Sequence, residues 1–233
     1  FRFPVPLNPL LKPNELNFIL KEAAVDTVVV AKITEPLVAG LGVTCVQVGD
    51  FLAPASQGGA TPASASPTDT AVMLYTSGTT GRPKGVGVTH AQWEHMRLSL
   101  TRRMEASAST RMLAWTSMAF DVAASEISLS IFSGGTLVLP PSEAHKDPRM
   151  LASSIESNDI THLNIVPAAL ATLTEEYDSS TRPLPNTTWL IIGGEPCALT
   201  LAARWSPQRH LINAYGPTEA TVCATTCQIT PNV

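Results

Sequence analysis

The sequence predicts an α/β fold: βαβ-rich, with largely parallel sheets flanked by helices. Three observations carry that expectation. From residue 91 onward, short strand-like runs alternate with segments of helical period, the pattern of crossover units. Runs such as Thr27-Val-Val-Val-Ala31 read as buried strands. With 233 residues and 44% hydrophobic content the chain can bury a substantial core, which disfavours disorder and small disulfide scaffolds.

The first helix is expected over Asn14 to Ala24, because Leu16, Ile19, Leu20 and Ala23 share one face behind an Asn14 cap. Strands follow at Thr27–Ala31 and Thr44–Val48. Between residues 53 and 69 the chain is almost wholly Ala, Pro, Ser, Gly and Thr, too poor in apolar area to order itself, and is expected to be a flexible surface loop. It separates a first portion, 1–52, from a second, 70–233. The second opens with strands at Ala71–Tyr75 and Val86–Thr89. Alternation then runs as helix 91–104, strand 111–115, helix 123–132, strand 136–139, helix 148–156, strand 161–166, helix 168–176, strand 188–192, helix 199–205 and strand 210–214. In such sheets ligands collect at the carboxyl ends of strands, where the most unusual sequences here lie.

Composition narrows the function classes. The net charge is −4 and the basic residues are scattered, so no electrostatic footprint for nucleic acid or an anionic membrane is present. No apolar run reaches the length of a membrane span. Cys45, Cys197, Cys223 and Cys227 lack the paired short spacings of zinc sites and secreted frameworks, which suits reduced thiols in a cytoplasmic protein.

Three segments carry chemistry. Leu74-Tyr-Thr-Ser-Gly-Thr-Thr-Gly-Arg-Pro-Lys-Gly85 packs three glycines, four Ser/Thr hydroxyls and a lysine between apolar strands. Glycines admit close backbone approach, hydroxyls donate to phosphoryl oxygens and lysine brings a mobile positive charge, so the segment reads as a phosphate loop. It is not of the Walker type, because Pro83 precedes Lys84, Gly85 follows it, and an extended segment continues where a helix is required. A plain hairpin turn is the rival reading. Ile212-Asn-Ala-Tyr-Gly-Pro-Thr-Glu219 leaves a strand through a Gly-Pro turn and delivers an aromatic ring, a hydroxyl and a carboxylate. Tyrosine can stack on adenine, threonine can donate to phosphate, and glutamate suits Mg²⁺, although a helix-capping turn would look similar. Ala119-Phe-Asp-Val-Ala-Ala-Ser-Glu126 opens an apolar helix at Asp121, which is either an N-cap or a selector for a cationic group.

Tyr75 to Gly85 resembles the phosphate-loop signature of the adenylate-forming, AMP-binding superfamily: acyl-CoA ligases, luciferases and the adenylation domains of nonribosomal peptide synthetases. The Phe-Asp-x-x-x-x-Glu segment, Gly193-Gly-Glu-Pro196 and Asn213-Ala-Tyr-Gly-Pro-Thr-Glu219 are most similar to the last group, whose Asp holds the substrate α-ammonium. The resemblance covers the whole chain, though Asn8 stands where the family's opening segment has Asp. It implies an incomplete adenylation core, without the ribose-binding Asp, the hinge or the small C-terminal domain with its catalytic Lys. A fragment of this kind is not expected to be fully active alone.

The resemblance further implies site residues. Thr76, Ser77, Gly78, Thr79, Thr80, Gly81, Lys84, Gly194, Glu195, Asn213, Ala214, Tyr215, Gly216 and Thr218 would bind nucleotide, with Tyr215 on adenine and Thr218 on the α-phosphate. Glu219 would hold Mg²⁺ and, with Thr218, serve catalysis. Asp121, Val122, Ser125, Asn164, Ile191, Gly193, Ala214, Val222 and Cys223 would line the substrate pocket. Asp121 alone among them is charged, so a neutral amino acid is expected, and small Ser125, Gly193 and Ala214 leave room for a medium or large side chain. Asn164 offers a hydrogen bond to a polar atom. The implied activity is ATP-dependent formation of aminoacyl-AMP with release of pyrophosphate. The product would be loaded onto the phosphopantetheine thiol of a peptidyl carrier domain, in a synthetase that also carries a condensation domain. An acyl- or aryl-CoA ligase, and a non-catalytic nucleotide-binding or docking module, remain the rival readings.

Overall fold

A computed structural model describes residues 3–51, 64–76, 82–176, 187–207 and 209–230, and the chain divides into two compact units, Phe1–Ala91 and Gln92–Val233. In the first unit, helix α1 (Pro13–Glu22) starts one residue before the expected position. Lys12 is its N-cap and Pro13 fills the first turn, where a missing N–H costs nothing. Asn14 is therefore inside the helix, and Glu15, at the third helical position, reaches back to accept from the Lys12 N–H at 2.8 Å. Leu16 and Leu20 pack on Val28 and Val30 of β1 (Thr27–Val30), which pairs in parallel with β2 (Thr44–Gln47) ahead of a short helix, α2 (Val48–Phe51). β1 is not the fully buried strand its composition suggests. Its residues alternate, with Val28 and Val30 inside and Val29 exposed, because only one face is covered.

β3 (Thr70–Thr76) and β4 (Lys84–Thr89) pair antiparallel, with Tyr75 opposite Gly85 and Thr76 opposite Lys84. Hairpin and phosphate loop are thus not exclusive alternatives here: the strands that flank the Gly/Ser/Thr segment form a hairpin. A Cβ on Gly85 would lie 3.2 Å from the Tyr75 ring, so glycine is what lets the tyrosine lie across the partner strand. Burial and a hydrogen bond with Glu22 push the Tyr75 phenol well above its ordinary pKa. The hairpin falls in the first unit, tied to it by the Met73 N–H on the Pro4 carbonyl at 3.1 Å, whereas the sequence reading groups residues from 70 onward with the second portion. Most of the 53–69 segment lies outside the described residues.

The second unit is the parallel sheet that the alternation predicts. Its elements are α3 (His90–Arg103, whose first two residues fall in the first unit), β5 (Arg111–Leu113), α4 (Val122–Ser130), β6 (Thr136–Val138), α5 (Pro148–Ser157), β7 (His162–Ile165), α6 (Pro167–Glu176), β8 (Trp189–Gly193), α7 (Leu199–Trp205), β9 (His210–Tyr215) and β10 (Thr225–Ile229). Six strands run in the order β10-β9-β8-β7-β5-β6, all parallel except β10, which joins the edge antiparallel to β9.

Period-two alternation lets one strand feed two cores. Leu190 and Ile192 of β8 pack with Leu151 and Ile155 of α5, Leu170 and Leu173 of α6 and Trp205 of α7. Trp189 and Ile191 of the same strand pack with Met96 and Leu100 of α3 and Leu129 of α4. Helices therefore cover both faces, as parallel sheets require.

Candidate functional site

A cavity of about 550 Å³ opens at the carboxyl ends of β7, β8 and β9, on the face that α3 and α4 cover. All nine residues expected around the substrate line it: Asp121, Val122 and Ser125 at the start of α4, Asn164 on β7, Ile191 and Gly193 on β8, Ala214 on β9, and Val222 and Cys223 before β10. The fold explains the convergence. Ile191 and Gly193 share a face of β8, and Gly193 sits opposite Ala214 in the ladder. Gly193 has a backbone reason for its identity besides the space it leaves, since a Cβ there would lie 2.6 Å from the Ala214 carbonyl oxygen. Leu100 and Met104, which no motif singles out, also line the cavity.

Asp121 precedes α4 but does not make the side-chain bond to the second or third helical amide that defines a cap, so the N-cap reading does not account for it. Burial raises its pKa above the ordinary carboxylate value, and the negative charge of Glu219 adds to this. Hydrogen bonds from the Thr218 hydroxyl and the Val122 backbone oppose the shift. Asp121 is thus a partly desolvated carboxylate at a cavity wall, beside Thr218 and Glu219, the pair expected at the nucleotide.

Glu126 enters the sequence reading only as the end of a motif, yet it organises this corner. It is 1% exposed, and Thr116 serves it through its backbone N–H at 3.1 and 3.2 Å and its hydroxyl at 2.7 Å. Burial lifts its pKa to about 7, with the Thr116 and Trp115 hydrogen bonds holding it back from going higher. The clamp joins α4 to the segment after β5, so both ends of the stretch that carries Asp121 are held.

One turn along α4, the Ser125 hydroxyl donates to the Val122 carbonyl at 2.7 Å and accepts from Asn164 Nδ2 at 3.0 Å. Asn164 is 4% exposed, and among the described residues its Oδ1 has no hydrogen-bond partner. The loop from β9 to β10 is strained: Thr221 and Val222 have φ of 59° and 70°, a left-handed conformation that disfavours β-branched residues. Cys223 follows, its thiol donating to the Thr225 carbonyl at 3.1 Å and its pKa pushed up by burial.

Of the residues expected at the nucleotide, Gly194, Ala214, Gly216 and Thr218 line the same cavity, and the other described ones are distributed differently. Asn213 and Tyr215 alternate with Ala214 along β9 and so belong to the sheet face opposite the cavity, with Tyr215 72% exposed. Gly194 takes φ of 83° after β8, and the Glu195 carboxylate accepts from the Ala168 N–H at 2.6 Å in the first turn of α6. Gly216 must be glycine, because a Cβ would lie 2.6 Å from the Ala224 nitrogen. Thr76 and Lys84 are the last paired residues of the β3–β4 hairpin. Ser77, Gly78, Thr79, Thr80 and Gly81 lie outside the described residues. Among the described residues no cluster of three or more His, Cys, Asp or Glu side chains is arranged for a metal ion.

The family model of the AMP-binding enzymes matches residues 3–233. The isonitrile lipopeptide synthase of Mycobacterium tuberculosis is 34% identical over 223 residues, which is 94% of this chain and 8% of that protein. One polypeptide of the linear gramicidin synthase of Brevibacillus parabrevis is 33% identical over 224 residues, 95% of this chain and 3% of that polypeptide. The chain thus spans a small part of each. Among solved structures, IdnL7 superposes with a TM-score of 0.81 at 26% identity, covering 98% of this chain and 49% of that one. The nonribosomal peptide synthetase FmoA3 with AMPPNP bound gives 0.85 at 24% identity over 96% of this chain and 24% of its own, a likeness of fold.

Proposed function

The chain belongs to the AMP-binding enzyme family, and on that premise we propose that it activates a neutral, medium-to-large α-amino acid as aminoacyl-AMP. Pyrophosphate is released, and the aminoacyl group is passed to the phosphopantetheine thiol of a carrier domain in a nonribosomal peptide synthetase that also carries a condensation domain. The observation that supports this reading best is the cavity headed by Asp121, whose lining residues include no other charged side chain. A desolvated carboxylate at an otherwise uncharged wall favours a ligand that brings its own cation, which an α-amino acid does and a fatty or aryl acid does not.

In this mechanism Asp121 holds the α-ammonium, which points the substrate carboxylate toward Thr218 and Glu219. The carboxylate oxygen attacks the α-phosphorus of ATP, and the bond to the pyrophosphate oxygen breaks. No protein nucleophile is required: the residues of this chain contribute positioning and charge neutralisation. Once the ammonium takes its place on Asp121, the Thr218 hydroxyl that serves Asp121 in the free site is released to donate to the α-phosphate. Thr76 to Thr80 and Lys84 receive the departing phosphates, and Tyr215, exposed at its strand end, offers a stacking face for adenine. Gly194, Glu195, Asn213, Ala214 and Gly216 shape the nucleotide's surroundings. Glu219 fits Mg²⁺, because a single exposed carboxylate suits an ion that takes most of its oxygens from water and phosphate. When bound, the ion would neutralise charge on the phosphates.

Substrate-dependent ATP–pyrophosphate exchange with the full-length protein tests this. Exchange with neutral amino acids is expected. Exchange with fatty or aryl acids and with no amino acid would overturn it in favour of a CoA ligase, and tight ATP binding without exchange on any acid would favour a binding module.

A further inference from the structure

We infer that the amino acid taken by this cavity carries a neutral hydrogen-bond donor well out along its side chain, accepted by Oδ1 of Asn164, which makes Asn164 a specificity-determining residue. The inference rests on the amino-acid reading and names the substrate class within it. It follows from counting protons. The Ser125 hydroxyl has one proton, and that proton is committed to the Val122 carbonyl at 2.7 Å. Ser125 Oγ must then accept from Asn164, which turns the amide so that Nδ2 faces it at 3.0 Å. The opposite amide orientation would set two acceptors against each other. Oδ1 is left buried and, among the described residues, without a partner.

The other polar groups of the inner wall are already engaged. The Thr116 hydroxyl donates to Glu126 and the Cys223 thiol to the Thr225 carbonyl, while the Thr218 hydroxyl serves Asp121. The unspent valence of the wall is therefore an acceptor, and a buried acceptor is satisfied only by a donor.

Position on α4 sets the distance. Asp121 and Ser125 are four residues apart and so share a helix face with Cβ atoms about 6 Å apart, and Asn164 stands one hydrogen bond beyond Ser125. An ammonium on Asp121 and a donor on Asn164 are thus separated by roughly 6 to 9 Å. Serine and threonine are too short for that span. Glutamine, citrulline, tyrosine and tryptophan reach it, and a cationic side chain would meet no second carboxylate on the lining.

The test is ATP–pyrophosphate exchange by the full-length protein on isosteric pairs: tyrosine against phenylalanine, tryptophan against benzothienylalanine, glutamine against norleucine. In the pair that fits best, the donor member is expected to exceed its partner in kcat/KM by about 10⁴-fold, the scale on which sites built for a hydrogen bond reject analogues that lack it. Asn164→Leu should collapse that ratio to about unity. Asn164→Asp should preserve it, since it keeps an acceptor, and a carboxylate, unlike an amide oxygen, is strong enough to draw the Ser125 proton away from the Val122 carbonyl. If N164L does not fold, the wild-type ratios together with N164D decide. Equal rates within every pair, or an undiminished ratio in N164L, would overturn the inference and leave amino-acid activation standing. Exchange confined to fatty or aryl acids would instead overturn the function on which it rests.

Discussion

Asp121 and Glu126 lie five residues apart around the start of α4, and both carboxyls have pKa values raised by burial, yet they are opposites. Glu126 is turned inward, and a single residue, Thr116, supplies three hydrogen bonds to it. Asp121 faces a cavity, with Thr218 and the first backbone amide of the helix as its partners. The difference separates a carboxylate that organises the protein from one that is kept ready for a ligand. Burial alone does not tell them apart, and neither does a count of hydrogen bonds; what does is that Asp121 lines the cavity and Glu126 does not.

The largest effect expected is on the ligand side. Asp121→Ala should lower exchange with the preferred amino acid by on the order of 100-fold or more while leaving thermal stability nearly unchanged, because an unpaired ammonium in the cavity is costly and the fold does not depend on this carboxylate. Calorimetry and exchange on the same sample check both halves. Substantial activity in D121A would erase the contrast. Glu126→Ala should do the reverse, costing about 2–3 kcal/mol in a urea titration as the Thr116 donors lose their acceptor.

Titration sharpens the contrast. The folded pKa of Glu126, about 7, lies above the ordinary value of 4.5, so the folded state binds the proton more tightly than the unfolded chain does. This contribution is fully present below pH 4.5 and is lost as pH rises toward 7, by up to about 3 kcal/mol. Glu126→Gln should flatten that slope in denaturation measured across pH 4.5 to 7, and an unchanged slope would assign it elsewhere. The smallest effect concerns the loop beside Asp121. Thr221→Gly should stabilise by about 1 kcal/mol by relieving a left-handed backbone, read as a rise in melting temperature.

Much of the second unit is legible because strand and helix periods alternate cleanly there, and each of its observed elements from α3 to β9 overlaps the expected one. β10 escapes sequence reasoning, since Thr225-Thr-Cys-Gln-Ile229 is a largely exposed edge strand without apolar alternation. Its antiparallel pairing is the one exception in a sheet that is otherwise parallel, in keeping with the largely parallel expectation. The α1 start differs from its expected place because Asn14 has cap chemistry, while Pro13 and Glu15 together set the boundary one residue earlier. The family resemblance is enough to pick nine residues that meet on one cavity. It is blind to Leu100 and Met104, and to the Thr116–Glu126 clamp, because those depend on how helices pack and not on a local pattern. The unpaired Oδ1 of Asn164 is equally invisible, being a property of three side chains and their protons taken together.

The end of β9 has a consequence for how such a site can change over time. Ala214 borders the cavity, while its neighbours Asn213 and Tyr215 belong to the opposite face. On the proposed reading, a single strand serves as a party wall between two rooms, one for the acid and one for adenine. Redecorating one room leaves the other undisturbed so long as the wall keeps its register. Single substitutions on the Ala214 side can therefore redirect the choice of acid while Asn213 and Tyr215 on the other face keep their places. A shift of one residue along the wall would ruin both at once.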